Sequence, residues 1–207
     1  MPAKYEKIYQ FKISIHDIFP LIWRRIQVPE NYTFWDLNIS IQDVMGWSGF
    51  HLHEFRITNP ITGKLENIGI PDEDSKHFEI NICPEWERKI KDYFTENNRQ
   101  AFYIYDFGDS WEHTILLEEI LPRVPKKKYP HCLDGERASP PEDCGGIPGY
   151  EYLIEVMKNP KHQDYKAMVE RFGSRYDPEW FVSVTPFANA NERAQLLKNY
   201  KADRSIL

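Results

Sequence analysis

Two short stretches concentrate the side chains that can do chemistry. The first, YDFGDSWEH at residues 105–113, sets Asp106, Asp109 and His113 around Trp111. A carboxylate beside an imidazole can fix the ring tautomer, move a proton or hold a metal. Asp109 in a turn also has an ordinary structural use, and Trp111 can floor a pocket or fill the core. The second stretch, HCLDGERASPPEDCGGIPGY at residues 131–150, carries His131, Cys132 and Cys144 beside the adjacent acids Glu142 and Asp143. Thiolates and imidazoles suit zinc, but 11 residues separate the two cysteines, which is no compact knuckle. A four-ligand site would need His51, His53 or His113 as well. Two reduced, partly buried thiols are the blander reading, with no cofactor expected. In PPEDCGG, residues 140–146, paired glycines allow close backbone approach, yet Glu142 and Asp143 would repel a phosphate. A rigid loop that caps the following helix accounts for the same residues.

The hairpin that positions the first group spans residues 101–120. With Gly108 and Asp109 as a two-residue turn, Gly108 supplies the positive φ of a type II′ turn. Asp106 then opposes Trp111 and Ile104 opposes His113, so Asp106 and His113 lie diagonally close on one face. A one-residue shift of the turn separates them.

The remaining basic and imidazole groups add binding candidates. Arg24 and Arg25 point to opposite faces of a strand, and His51 and His53 share a face of another. Lys126, Lys127 and Lys128 beside Tyr129 can grip a phosphate backbone and stack a base, although a lysine run is more often a solvated loop. The chain has no His-Glu-x-x-His, Walker, dinucleotide or Gly-x-Ser-x-Gly signature.

Around these groups the chain has the composition of a folded domain. It has 207 residues, 41% hydrophobic and 14% aromatic, enough to bury a core without disulfides. One domain, residues 1–207, is expected. The net charge of −6 argues against a broad nucleic-acid surface but leaves room for a local basic patch. Three cysteines do not make a secreted scaffold, no leader is expected, and no membrane-length apolar run is present. A reducing cytoplasm is the expected location.

In chain order, residues 5–16 and 21–28 read as strands. Thr33 caps a helix, with Asp36 in the capping-box position and Gly46 as its stop. Residues 51–57 and 65–71 read as strands, Glu73, Asp74 and Lys76 as a solvated loop, and 84–98 as a helix or irregular lid. Residues 121–149 form a long Pro/Gly-rich loop. Helices follow at 149–159, 162–172 and 187–200, with 201–207 fraying. This order predicts an α+β fold: an antiparallel β-sheet with helices packed on one face or end.

Four blocks carry a resemblance. They are IYQFKISIHDIFPLIWRRIQVP at 8–29, WSGFHLHEF at 47–55, YDFGDSWEH at 105–113 and CLDGERASPPEDCGGIPGY at 132–150. The chain resembles the plasmid pRiA4b ORF-3-like family, which includes passenger proteins of IS1096-type insertion elements. The resemblance implies one α+β domain and no established biochemical activity. A resolvase-like label attached to such passengers does not transfer, because no serine- or tyrosine-recombinase motif is present. Relatives often have cysteine where this chain has Ser139, which weakens a cysteine-based metal site here.

Three readings compete. The first is a non-enzymatic, mobile-element-associated binding or accessory domain for nucleic acid or protein, using a groove between hairpin and Pro-rich loop. The second is a metal-dependent hydrolase built on Asp106 and His113, which requires His51, His53 or Cys132 to converge on the same pocket. The third is an oligomerisation module. The missing enzyme signatures favour the first.

Overall fold

The computed structural model describes residues 5–71, 81–173, 176–183, 187–188 and 190–203. The expected solvated-loop residues Glu73, Asp74 and Lys76 lie outside the described residues.

Eight strands form one sheet: β1 (Lys7–Ile15), β2 (Trp23–Pro29), β3 (His53–Thr58), β4 (Leu65–Gly69), β5 (Ile82–Pro84), β6 (Gln100–Tyr105), β7 (Trp111–Pro122) and β8 (His131–Glu136). Their spatial order is β5-β4-β3-β6-β7-β1-β2-β8. All pairings are antiparallel except β4–β5, which is parallel. The α+β expectation holds, with that one mixed edge.

Period-2 alternation decides which face is buried. Phe11, Ile13 and Ile15 of β1 oppose Leu117, Ile115 and His113 of β7. These residues and their neighbours Phe55, Tyr103 and Ile26 are all buried. The other face carries Lys12, Arg25, Thr114 and Glu118, polar residues that water can solvate.

Helix α1 (Phe34–Met45) covers the apolar face with Phe34, Leu37, Ile41, Val44 and Met45. Its start is the expected capping box. Thr33 Oγ1 accepts from the Asp36 N–H, and Asp36 Oδ2 accepts from the Thr33 N–H at 3.0 Å. Asp reaches back here although Glu or Gln is the commoner partner. Gly46, at φ 75°, ends the helix in the left-handed region.

The 84–98 segment is two 3₁₀ turns, Glu85–Glu87 and Ile90–Asp92. Its backbone is drawn away from helix by the neighbouring chain. The Phe34 N–H donates to the Arg88 carbonyl, and the Ile90 N–H to the Tyr32 carbonyl. Ile90, Tyr93 and Phe94 thereby enter the core, where Phe94 packs edge-on against Phe11 at 4.7 Å between centroids.

The 121–149 loop is more structured than its composition suggests. β7 runs into it as far as Pro122, and β8 forms inside it, pairing with β2. Edge position explains why a strand with so little alternation persists. Gly135 is required there: a Cβ would stand 2.8 Å from the Trp23 carbonyl oxygen and 2.7 Å from the Phe181 ring.

Three further helices follow, α2 (Gly146–Met157), α3 (Tyr165–Phe172) and α4 (Ala190–Asp203). Each lies within a few residues of its expected span; α4 continues through part of the segment expected to fray. No helix among the described residues is long and apolar enough to cross a membrane.

Candidate functional site

The β6–β7 connection sets the site. Tyr105 opposes Trp111 and Tyr103 opposes His113, one residue away from the register that a two-residue turn would give. The tip is the five-residue segment 106–110. Asp106 makes it so. Its Oδ1 accepts from the Gly108 N–H at 3.0 Å and the Asp109 N–H at 3.3 Å, and its carbonyl accepts from the Ser110 N–H at 2.6 Å. Asp106 and Ser110 take the left-handed conformation, at φ 57° and 53°, and Gly108 does not. An aspartate tolerates that region because its carboxylate bonds the backbone two residues on.

The shift separates the expected pair. His113 turns into the core, fully buried, where its Nδ1 donates to the Tyr103 carbonyl at 3.3 Å and Nε2 has no partner among the described residues. Burial lowers its pKa from 6.5 to about 4. Asp106 sits at the rim, and the imidazole it meets is His51. His51 Nδ1 lies 3.6 Å from Asp106 Oδ2, and Nε2 lies 3.2 Å from Asp143 Oδ1.

The neighbouring side chains hold this arrangement in place. Trp47, directly after the Gly46 stop, stacks on Tyr105 at 4.9 Å and on Trp111 at 6.3 Å, and meets His113 edge-on at 5.4 Å. Its Nε1–H donates to the Pro140 carbonyl at 2.9 Å. One indole therefore joins the end of α1, the hairpin base and the Pro-rich loop. Glu142 adds a second tie. Its Oε1 accepts from the Tyr105 hydroxyl at 2.5 Å, and its Oε2 from the Ser48 N–H at 3.1 Å. Burial, then the Glu142 contact, push the Tyr105 phenol well above its ordinary pKa.

Asp109 makes the third tie, accepting from the Gly145 N–H at 3.1 Å. The glycines beyond it are dictated by contact. A Cβ on Gly146 would stand 2.7 Å from the Asp109 carbonyl oxygen, and one on Gly149 would stand 1.9 Å from the Cys144 carbonyl oxygen. Gly149→Ala is expected to cost about 2–3 kcal/mol by overpacking a contact between backbones that cannot yield. Urea unfolding measures this; a loss under half that size would show that the first turn of α2 moves freely.

The other sequence candidates fall elsewhere. Arg24 is buried under the sheet edge. It donates to the carbonyls of Val44, Trp23 and Glu136 and to Ser139 Oγ, and burial lowers its pKa to about 10. Arg25, on the open face, grips Glu118 through two nitrogens at 2.6 and 2.8 Å. His53 is buried against Glu85 at 2.9 Å, and Trp111 is buried beneath Trp47.

The set His113, His131, Cys132 and Cys144 does not assemble. Cys132 faces the core opposite Ile26, and His131 lies exposed on β8 opposite Gln27. Burial pushes the Cys144 thiol up to about 12. Among the described residues the cluster able to hold a metal is His51, Asp106 and Asp143, whose donor atoms lie within 4.8 Å of one another. Sequence reasoning missed Trp47, Ser48 and Tyr105 as site supports. An aromatic residue directly after a helix-stopping glycine was the available signal.

Three of the four resemblance blocks, 47–55, 105–113 and 132–150, thus converge on one end of the sheet. The profile of the family described as "Plasmid pRiA4b ORF-3-like protein" matches residues 7–184. The chain belongs to the pRiA4b ORF-3-like family. It is 31% identical over 170 residues to the uncharacterized protein y4hQ of Sinorhizobium fredii (strain NBRC 101917 / NGR234), covering 81% of each chain. It is also similar to the crystal structure of a protein of unknown function, MM3350, from Methanosarcina mazei Go1. That likeness has a TM-score of 0.80 and 48% identity, and covers 87% of this chain and 97% of that one. Family membership therefore shows ancestry and fold, and the chemistry rests on the site.

Proposed function

We propose that this pRiA4b ORF-3-like protein is a binding or accessory domain for nucleic acid or protein. Its site, between hairpin tip and Pro-rich loop, is organised by a divalent cation held by His51, Asp106 and Asp143. The observation that carries this is the convergence of one imidazole and two carboxylates from three separate segments, with donor atoms within 4.8 Å. Nitrogen and oxygen donors of this kind suit zinc and similar divalent ions. Asp106 is well placed as the fixed ligand: Oδ1 is held by the turn and Oδ2 is left for the cluster. Asp143 is the exposed, adjustable one, at 65% side-chain exposure.

One observation favours the hydrolase reading in second place. Three protein ligands leave a coordination position for a water, the arrangement of catalytic rather than structural zinc sites. In that reading Asp106 acts with His51, and His113 is the buried support behind Trp47.

Protein purified without an affinity tag and titrated with zinc is expected to bind about one equivalent. His51→Ala and Asp106→Asn are expected to weaken binding by about tenfold or more. Elemental analysis below about a tenth of an equivalent, together with no calorimetric heat, would sink the metal reading.

A further inference from the structure

A second surface lies away from the hairpin tip. A groove of about 1020 Å³ runs between the end of β2, the start of α1 and the chain around β8. Lys127, Lys128 and Arg193 line it, against a single carboxylate, Asp36, which is already bound to Arg193 at 3.0 Å. Lys127 donates to the Gln27 amide oxygen at 3.0 Å, and neither lysine has a carboxylate partner among the described residues. In a chain of net charge −6, this is a local excess of positive charge.

The cations are interleaved with rings. Tyr5, Tyr32 and Tyr129 line the same groove. Tyr5 packs edge-on against Tyr129 at 6.4 Å, Lys127 sits over Tyr129 at 5.5 Å, and Arg193 sits over Tyr32 at 4.7 Å. Arg123, over Tyr5 at 5.4 Å, extends the positive rim.

An independent feature points to a ligand. Tyr32 is 6% exposed, and its buried hydroxyl has no hydrogen-bond partner among the described residues. Burial holds that phenol far above its ordinary pKa, so it stays a neutral donor. The buried Oδ1 of the adjacent Asn31 is an acceptor likewise without a partner. Buried polar groups are rarely left unmatched, and this unmatched donor and acceptor belong to two residues of the groove wall.

We propose that this groove binds single-stranded nucleic acid. Phosphates meet Lys127, Lys128 and the Arg193 edge, and bases stack on the exposed parts of Tyr5 and Tyr129. Stacking on rings flanked by cations tolerates any base, so little sequence preference is expected. Duplex DNA is disfavoured because its bases are already stacked and cannot reach the tyrosines. The inference gives the accessory domain proposed above a nucleic-acid partner, but it rests on residues outside the His51–Asp106–Asp143 cluster.

The test is fluorescence anisotropy with a labelled 12-nucleotide oligothymidylate, its duplex with oligoadenylate, and thymidine monophosphate as competitor. Single strand is expected to bind at least about tenfold tighter than duplex, with affinity falling as salt rises. Lys127→Ala with Lys128→Ala is expected to flatten the log–log salt slope by about 1.4, two contacts on a single strand. Tyr129→Ala is expected to weaken binding about tenfold, and Tyr129→Phe, which keeps the ring and guards against a folding artefact, to leave it unchanged. Zinc binding should be intact in all three variants, so the two proposals fail separately. No binding at 50 mM salt, equal affinity for duplex, competition by the monophosphate as strong as by the strand, or an unchanged lysine variant would each overturn the inference.

Discussion

Trp47→Ala is expected to destabilise the protein by about 4 kcal/mol, the usual cost of emptying a buried tryptophan site. Trp47 is 7% exposed and lies against Tyr105, Trp111 and His113. Its loss opens a space where the end of α1, the hairpin base and the Pro-rich loop meet, and the Glu142 and Asp109 ties hold those elements apart, so collapse cannot easily refill it. It also strips the Pro140 carbonyl of its donor. Trp47→Phe separates these effects. It keeps a stacked ring and loses the N–H, and is expected to cost about 1 kcal/mol for the bond plus a smaller packing loss. Urea unfolding at pH 7 measures both. Because the indole locks the loop carrying Asp143 to the hairpin carrying Asp106, Trp47→Ala should also weaken zinc binding even where the protein remains folded. A Trp47→Ala protein with unchanged stability and affinity would show that the loop is held by Glu142 and Asp109 alone.

The second large effect is acid sensitivity through His113. Its pKa falls from 6.5 to about 4 in the folded protein because the fully buried ring has no solvent for its charged form. The unfolded chain takes up a proton near pH 6.5, while the folded one resists until about pH 4. Between those values the unfolded state holds more protons, so stability falls as pH drops and levels off below the folded pKa. The expected loss from this ring is about 2–3 kcal/mol on going from pH 7 to pH 4.5. His113→Phe removes the titration while retaining an aromatic ring beside Trp47. Urea unfolding of both proteins at the two pH values should show the wild type losing more by that amount. Equal losses would mean that His113 accepts a proton in place.

Much of the scaffold was legible because it is written in local chemistry. Alternation in residues 5–16 marked β1, and Thr33, Asp36 and Gly46 bounded α1 because caps are short-range devices. The hairpin register was not legible. Gly108 is the residue one expects at positive φ, yet an Asp106 carboxylate that bonds two backbone N–H groups builds a longer tip and carries the strain itself. That single slip exchanged His113 for His51 as the imidazole beside Asp106. β8 was missed for a different reason. Its pairing partner β2 lies a hundred residues earlier, and a short edge strand has no pattern of its own. The Asp143 end of the cluster arrives through the same kind of distant contact, which spacing along the chain does not encode.

The strand order carries a consequence for synthesis. β1 lies inside the sheet, between β2 and β7, but β7 begins only at Trp111. At ribosomal speed, roughly 5–20 s separate the two strands as they leave the tunnel. Through that interval Phe11, Ile13 and Ile15 can be covered on one side by β2 and α1 while the other strand edge of β1 stays open. The nascent chain therefore passes through a stage with a long unpaired edge beside exposed apolar groups, the combination that recruits chaperones or nucleates aggregates. Release of a fragment ending before residue 111 should yield an insoluble product, and one ending after residue 122 should be the first to close the sheet around β1.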